Sequence, residues 1–347
     1  MPYELNKKIR ELEPYEPISG TYKIRLDANE CPENYPDFIK EEIKNAIDTI
    51  DFNRYPDPLA EKVVTAFADY YGINPKYVTA GNGSDELIFL IEAAFMEKGD
   101  RMLCVAPDFS MYKFYSSICE VECDTFIKSD DLSIDTDALI EKVNRDNIKL
   151  LLFSNPCNPT GQGMTADRLV TSVNALVILD EAYMDFWDQS LINEVEKYSN
   201  LIIFRTASKA VGSAALRLGF AVANETISRA VKAVKSPYNV NTFSQVVGSI
   251  IYKNKDYLKN RQKTIVRNRE KLYNDLLELS ALSDDFKVYN SCANFVFVKT
   301  SFGKDLWNYL KDNSIVIRFM GDYIRISVGT EEENEELISC IKTYLSR

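Results

Sequence analysis

Apolar residues fall into short, nearly unbroken runs, and between these runs they recur every three or four positions. The runs YVTA (77–80), RMLCVA (101–106), EVECDTF (120–126), KLLLFS (149–154), ALVILD (175–180), LIIFRT (201–206) and LGFAVA (218–223) read as strands. Most lead into helical patterns or into loops with Gly and Pro. Near-continuous apolar strands with amphipathic helices between them indicate an α/β fold with a mainly parallel sheet covered on both faces. From about residue 256 the pattern changes to a long charged helix, KDYLKNRQKTIVRNREKLYNDLLELS. Two strands follow, NFVFVK (294–299) and DYIRISV (322–328), with helical segments around them, and together these read as a smaller α+β unit. The first thirty or so residues are irregular and proline-dotted. The expected organisation is an N-terminal arm (1–32) packing on the second unit, a large α/β domain (33–255) and a small C-terminal α+β domain (256–347).

Composition narrows the function. With 347 residues and 46% hydrophobic content the chain can fill a substantial core. No apolar run approaches the roughly 18 residues that span a bilayer, and the start, MPYELNKKIRELEP, is charged where a signal peptide needs an apolar core. A soluble, cytoplasmic protein is expected. Seven cysteines (31, 104, 119, 123, 157, 292 and 340) are scattered and never spaced C-x-x-C, so the expectation is reduced, mostly buried thiols and no metal site. A formal charge of −11 without a dense Lys/Arg block argues against nucleic acid or an anionic membrane as partner. The chain has no histidine. That removes Ser-His-Asp and Cys-His nucleophile systems, H-E-x-x-H zinc sites and imidazole acid–base chemistry, leaving lysine as the leading proton carrier.

Polar clusters lie where strands end, which is where open α/β sheets bind ligands. GNGSDE (81–86) follows YVTA and opens a helix, with Ser84 as expected N-cap and Asp85 and Glu86 in the first turn; such an end attracts anions. NPCNPTG (155–161) holds Asn158 in a tight turn, and LDEAY (179–183) puts Asp180, Glu181 and Tyr183 at a strand tip. FRTASKA (204–210) ends a strand with Thr206, Ser208 and Lys209, and Arg217 follows eight residues after the lysine. Each cluster alone reads as an ordinary turn or a solvated strand end; the combination is what points to chemistry.

With these stretches, and with LDANECP (26–32), RYPDP (54–58), SPYNVN (236–241) and YIRISVGT (323–330), the sequence resembles the fold-type I pyridoxal-phosphate aminotransferases, and among them the histidinol-phosphate aminotransferase family. The resemblance runs through nearly the whole chain. It implies pyridoxal 5'-phosphate as cofactor, held in the large domain, with Lys209 as anchor and base. Asp180 then faces the pyridine nitrogen, Tyr183 and Asn158 donate to the ring oxygen, and Phe109 stacks on the ring. The phosphate is implied to lie among Ser84, Asp85, Thr206, Ser208 and Arg217, with Tyr55 reaching the partner's cofactor in a homodimer that shares its sites. For substrate the resemblance implies Arg325, with help from Arg318, Tyr15 and Asn29, and a ping-pong exchange between L-histidinol phosphate and 2-oxoglutarate. Only FMGDYI separates the two arginines, a tighter connection than that family usually has. Two relatives of the same fold remain as alternatives: an aromatic amino-acid aminotransferase, and a phosphothreonine decarboxylase.

Overall fold

The computed structural model describes residues 3–10, 12–14, 16 and 18–347. Twelve strands are present among them: β1 (Ile24–Leu26), β2 (Val78–Gly81), β3 (Arg101–Ala106), β4 (Glu122–Ile127), β5 (Leu150–Ser154), β6 (Leu176–Asp180), β7 (Leu201–Thr206), β8 (Gly219–Ala223), β9 (Lys287–Tyr289), β10 (Phe295–Lys299), β11 (Ile315–Phe319) and β12 (Tyr323–Ser327). β2 to β8 form a seven-stranded sheet in the order β2-β8-β7-β6-β5-β3-β4. Only β8 runs against its neighbours, β2 and β7; every other pairing in this sheet is parallel. Every residue of β5, β7 and β8 is buried, because helices cover both faces, and the sequence reads as unbroken apolar runs for that reason. The edge strand β4 is only half-buried.

The remaining strands build a second sheet, β1-β11-β12-β10-β9. Here the structure enlarges the expected pair of strands to five. β1 and β9 have three residues each, too few for a period to register, and β11 follows the helix Gly303–Asp312 with only two residues between. The N-terminal stretch also divides in a way its irregular sequence hides. Residues 24–26 add a parallel edge strand to β11, whereas the short helix Lys7–Arg10 lies against the other unit, where Lys8 Nζ donates to the Ile118 carbonyl at 3.1 Å. The long helix spans Lys255–Ser280, and its buried positions Leu258, Arg261, Ile265, Leu272, Leu276 and Leu279 recur at helical spacing. All seven cysteines are unpaired; Cys104 and Cys157 are buried and the other five half-buried, so the thiols are more accessible than composition suggested.

A buried ion network joins β7 to the segment after β6. Arg205, 3% exposed, pairs with Glu181 Oε2 at 2.9 Å and Asp185 Oδ1 at 3.1 Å. Ser190 Oγ bridges Arg205 and Glu181, Tyr71 Oη donates to Asp185 at 2.9 Å, and the guanidinium lies 4.9 Å from the Tyr71 ring centroid. Burial acts against the charge on Arg205, but the two carboxylates outweigh it and its pKa is raised. Removing one member of such a network leaves uncompensated charge in the interior, typically at about 3–5 kcal/mol. Arg205→Met is therefore expected to lower unfolding free energy by about that amount; a loss below about 1 kcal/mol in urea titration of ligand-free protein is the outcome that contradicts this role.

Candidate active site

Parallel strands send their C-terminal ends to one edge of the large sheet, and pairing aligns Ser154 with Asp180 and Asp180 with Phe204. The tips of β5, β6 and β7 therefore emerge side by side. A cavity of about 600 Å³ opens there. Ser84, Asp85, Phe109, Asn158, Asp180, Tyr183, Thr206, Ser208, Lys209 and Arg217 line it together with Asn29, Arg318 and Arg325. Tyr55 does not line it; this side chain is 80% exposed and stacks on Tyr238, centroids 4.6 Å apart. Tyr15 lies outside the described residues.

At one end Asp180 is buried, its Oδ1 accepting from Ala182 N at 3.1 Å and its Oδ2 from Tyr112 Oη at 2.8 Å. Burial raises its pKa to about 6; Tyr112 and Ala182 oppose the rise, and the charges of Asp108 and Asp85 add to it. Both hydrogen-bond donors are neutral, so the carboxylate retains its full charge toward the cavity. Tyr112 and Asp108 were not expected from sequence, although both lie in PDFSMY, the stretch that supplied Phe109. Asp108, also raised to about 6 by burial against the pull of Lys128, takes bonds from Ser154 Oγ and Ser154 N, and Ser154 Oγ accepts from Asn158 N at 3.0 Å.

At the other end the helix Ser84–Phe95 begins. Gly83, not Ser84, takes the capping position, with φ +84°, and among the described residues no side chain caps the helix. The reason is crowding. A Cβ on Gly83 would lie 2.8 Å from Arg217 Nη2, and one on Gly219 would lie 2.5 Å from Ser84 N, so these glycines let the helix start, β8 and the arginine converge. Arg217 itself has left-handed backbone (φ +48°), uncommon for a residue with a side chain, and pairs with Asp85 at 3.2 Å. Thr206 Oγ1 and Ser208 Oγ are 3.0 Å apart beside it. Helix amides, two hydroxyls and a guanidinium make an anion cradle.

Lys209 lies between these ends, its Nζ donating to the Ala28 carbonyl at 3.0 Å. The loop it belongs to is tied down two residues later: Arg261 Nη1 donates to the Val211 carbonyl at 3.0 Å, and Tyr35 Oη donates to the same oxygen. Arg261 packs over the rings of Tyr35 and Tyr257, with centroid distances of 4.5 and 4.8 Å. Asn29 turns its amide to Tyr183, donating to Oη at 3.0 Å, which leaves the phenol proton free for an acceptor in the cavity. Asn29, expected as a substrate contact, thus lines the cavity and touches Tyr183, expected as a cofactor contact.

On the far wall Arg318 and Arg325 are directly opposed across β11 and β12. The short FMGDYI connection is a two-residue turn, closed by Met320 N to the Tyr323 carbonyl at 2.8 Å with Gly321 at φ +69°. Arg325 donates to the Asp27 carbonyl at 2.7 Å and to Asn158 Oδ1, so the Asn158 amide NH₂ is left to donate into the cavity. Like charges directly opposed across strands destabilise a sheet unless an anion sits near them.

The buried Asp180 carries a stability cost with a defined pH window. Because its folded pKa is raised from 3.8 to about 6, the unfolded chain releases the proton first, and stability falls as pH rises through that interval. In ligand-free protein Asp180→Asn is expected to be stabilising by about 1–3 kcal/mol above pH 7, with the gain vanishing near pH 4. Denaturant titrations at the two pH values check this; an equal effect at both rules out ionisation as the source.

The family described as aminotransferase class I and II matches residues 21–341. A histidinol-phosphate aminotransferase of Clostridium novyi (strain NT) is 40% identical, the alignment covering 97% of this chain and 96% of that one. One from Clostridium kluyveri is 38% identical, with 98% of each covered. Among solved structures, histidinol-phosphate aminotransferase from Sinorhizobium meliloti, in complex with pyridoxal-5'-phosphate, superposes with a TM-score of 0.87 over 99% of this chain and 97% of that one, at 23% identity. L-threonine-O-3-phosphate decarboxylase from Porphyromonas gingivalis superposes at 0.80, with 21% identity, over 93% of this chain and 100% of that one. Two such different chemistries on one backbone mean that fold alone does not choose between them, but a match that runs from β1 to the last helix does fix the lineage: the chain belongs to the class I and II aminotransferase family.

Proposed function

We propose that the protein is a pyridoxal 5'-phosphate-dependent aminotransferase that exchanges the amino group between L-histidinol phosphate and 2-oxoglutarate, with imidazole-acetol phosphate and glutamate as the other pair. The observation that carries this reading is a single cavity with a buried carboxylate, a lysine and an anion cradle on one wall and two opposed arginines on the other. The residues present fit the cofactor: Asp180 meets only neutral donors, as a partner for a cationic ring nitrogen must, and the crowded glycines open the helix start to a phosphate. Relatives 38–40% identical over nearly the whole chain bear the histidinol-phosphate name, which favours that donor over an aromatic amino acid.

Bound pyridoxal phosphate supplies an aldehyde for the donor's amine and an electron-poor ring that disperses the charge left at the donor's α carbon. Ser84, Asp85, Thr206, Ser208 and Arg217 hold the phosphate through amides, hydroxyls and guanidinium. Asp180 keeps the ring nitrogen protonated, since a carboxylate beside a cation raises the cation's pKa. Tyr183 and Asn158 donate to the ring oxygen, with the donor protons left free by Asn29 and Arg325. Phe109 covers the ring face. Lys209 Nζ takes the proton from the donor's α carbon and, in the return half of the cycle, gives one to the oxo acid's. Arg325 and Arg318 bind the anionic group remote from the amine, phosphate in one half-reaction and carboxylate in the other.

Exposed Tyr55, stacked on exposed Tyr238, supports a homodimer in which it reaches the partner's cofactor phosphate. No described helix is long and apolar enough to cross a membrane, which supports a cytoplasmic enzyme. The large sheet and its helices correspond to a cofactor domain at 33–255, and the small sheet to a domain at 256–347 joined by the arm strand β1.

Two experiments test the assignment. Borohydride reduction of the loaded protein is expected to fix the label on Lys209 in peptide mapping; label on another lysine rejects it. Single-turnover measurements with histidinol phosphate and with 2-oxoglutarate separate the arginines. Arg325→Lys keeps charge but loses the planar fork, and is expected to weaken both half-reactions by about 1–3 kcal/mol. Arg318→Ala is expected to weaken the phosphate donor more than the oxo acid. If wild type ignores histidinol phosphate while turning over phenylalanine, or releases carbon dioxide from phosphothreonine, the corresponding relative's activity replaces this one.

A further inference from the structure

We propose that Tyr112 is a positioning residue that keeps Asp180 ionised and aimed into the cavity, so that the ring nitrogen opposite it stays cationic; this rests on the reading of Asp180 given above. Tyr112 is 1% exposed and stands on the helix Met111–Cys119, its Oη 2.8 Å from Asp180 Oδ2. Its ring meets Phe109 edge-on, with centroids 5.5 Å apart and planes at 82°, so packing as well as hydrogen bonding fixes the phenol. The other donor to Asp180 is the Ala182 backbone amide at 3.1 Å, which no side-chain change removes. Tyr112 is therefore the adjustable part of the carboxylate's surroundings.

A neutral donor suits this position for an electrostatic reason. A lysine or arginine here would neutralise Asp180 and cancel its pull on the ring nitrogen. An apolar side chain would leave Oδ2 without a partner in a buried place, where Asp108 and Asp85 already push Asp180 toward protonation. The carboxyl would then compete with the ring for the shared proton. A phenol gives a hydrogen bond to the charged form without altering the total charge, and burial, with Asp180 and Asp108 nearby, keeps it protonated well above its ordinary range. Cys157 also faces Tyr112, and Lys128, which donates to Cys157 Sγ at 2.8 Å, opposes the charge of Asp108. Within this set Tyr112 is the group that touches the carboxylate.

Tyr112→Phe removes one hydroxyl and keeps the ring packing. A hydrogen bond to an ionised group is typically worth about ten- to a hundredfold in an equilibrium, so the ratio of nitrogen-held to Asp180-held proton is expected to fall about ten- to a hundredfold at every pH where the pair holds one proton. ¹⁵N NMR of ring-labelled pyridoxal phosphate in the holoenzyme reads this directly. The single-turnover rate is expected to drop about ten- to a hundredfold, with KM for 2-oxoglutarate unchanged because Arg318 and Arg325 lie on the other sheet. In an Asp180→Asn background the further change Tyr112→Phe is expected to add nothing to either readout. A wild-type nitrogen titration in Tyr112→Phe, or a rate loss that persists in the Asp180→Asn background, reduces Tyr112 to packing and overturns the proposal while leaving Asp180's role intact. A wild-type nitrogen that is unprotonated, and unchanged by Asp180→Asn, sinks both.

Discussion

The pairing of Arg205 with Glu181 and Asp185 fixes the distance on which the site depends. Arg205 precedes Thr206 at the tip of β7, and Glu181 follows Asp180 at the tip of β6. The ladder between the strands reaches only as far as Asp180 opposite Phe204. Beyond it the chain segments diverge, one toward Lys209 and the other toward Tyr183. A buried cation gripping two carboxylates across that divergence, with the Glu181 amide also bonded to the Phe204 carbonyl at 3.0 Å, holds the lysine side and the carboxylate side in one relative position. An apolar substitute could fill the same volume but would carry no directional preference, and the functional groups on either side need direction more than they need burial.

The same logic explains how a chain of net charge −11 holds anionic ligands. Positive groups are gathered around the cavity: Lys209 and Arg217 beside the ends of large-sheet strands, Arg318 and Arg325 within β11 and β12. Lys209 donates to a carbonyl, Arg217 pairs with a single carboxylate, and Arg325 donates to a carbonyl and to an amide oxygen. The carboxylates follow a complementary rule. Burial raises the pKa values of Asp180 and Asp108, and their hydrogen-bond donors, together with Lys128 beside Asp108, oppose the rise. With no histidine in the chain, the function proposed above leaves its proton chemistry to a lysine and environment-tuned carboxylates.

How much of this was legible in the sequence follows from how local each cause is. RMLCVA and LIIFRT match β3 and β7 residue for residue, and the long helix begins within a residue of its expected start, because continuous burial imprints a continuous pattern. β1 and β9 could not be read that way, since three residues carry no period and their identity as strands comes from the partners they meet. The residues expected around the cofactor cluster at strand ends, and all of them except Tyr55 line one cavity. Tyr112 was missed because its role is a contact with Asp180, 68 positions away, made by a helix crossing a strand tip. Asn29 likewise meets Tyr183 across 154 positions. Ser84 had the right chemistry for a cap, yet Gly83 took that place because Arg217, distant in sequence, needs the space.

The opposed arginines show how a connection can set specificity without a side chain of its own. A hairpin admits few loop lengths, and the two-residue turn after Met320 fixes register so that Arg318 faces Arg325 and no other residue. One residue more or less would turn every following side chain to the opposite face, since strand side chains alternate. Arg325 is further fixed by the Asp27 carbonyl and Asn158, and the half-buried Arg318 lines the same cavity. Under the function proposed above, two guanidinia side by side give one pocket the charge to take a carboxylate and a phosphate in turn, which an exchange between a phosphate-bearing amine and an oxo acid requires.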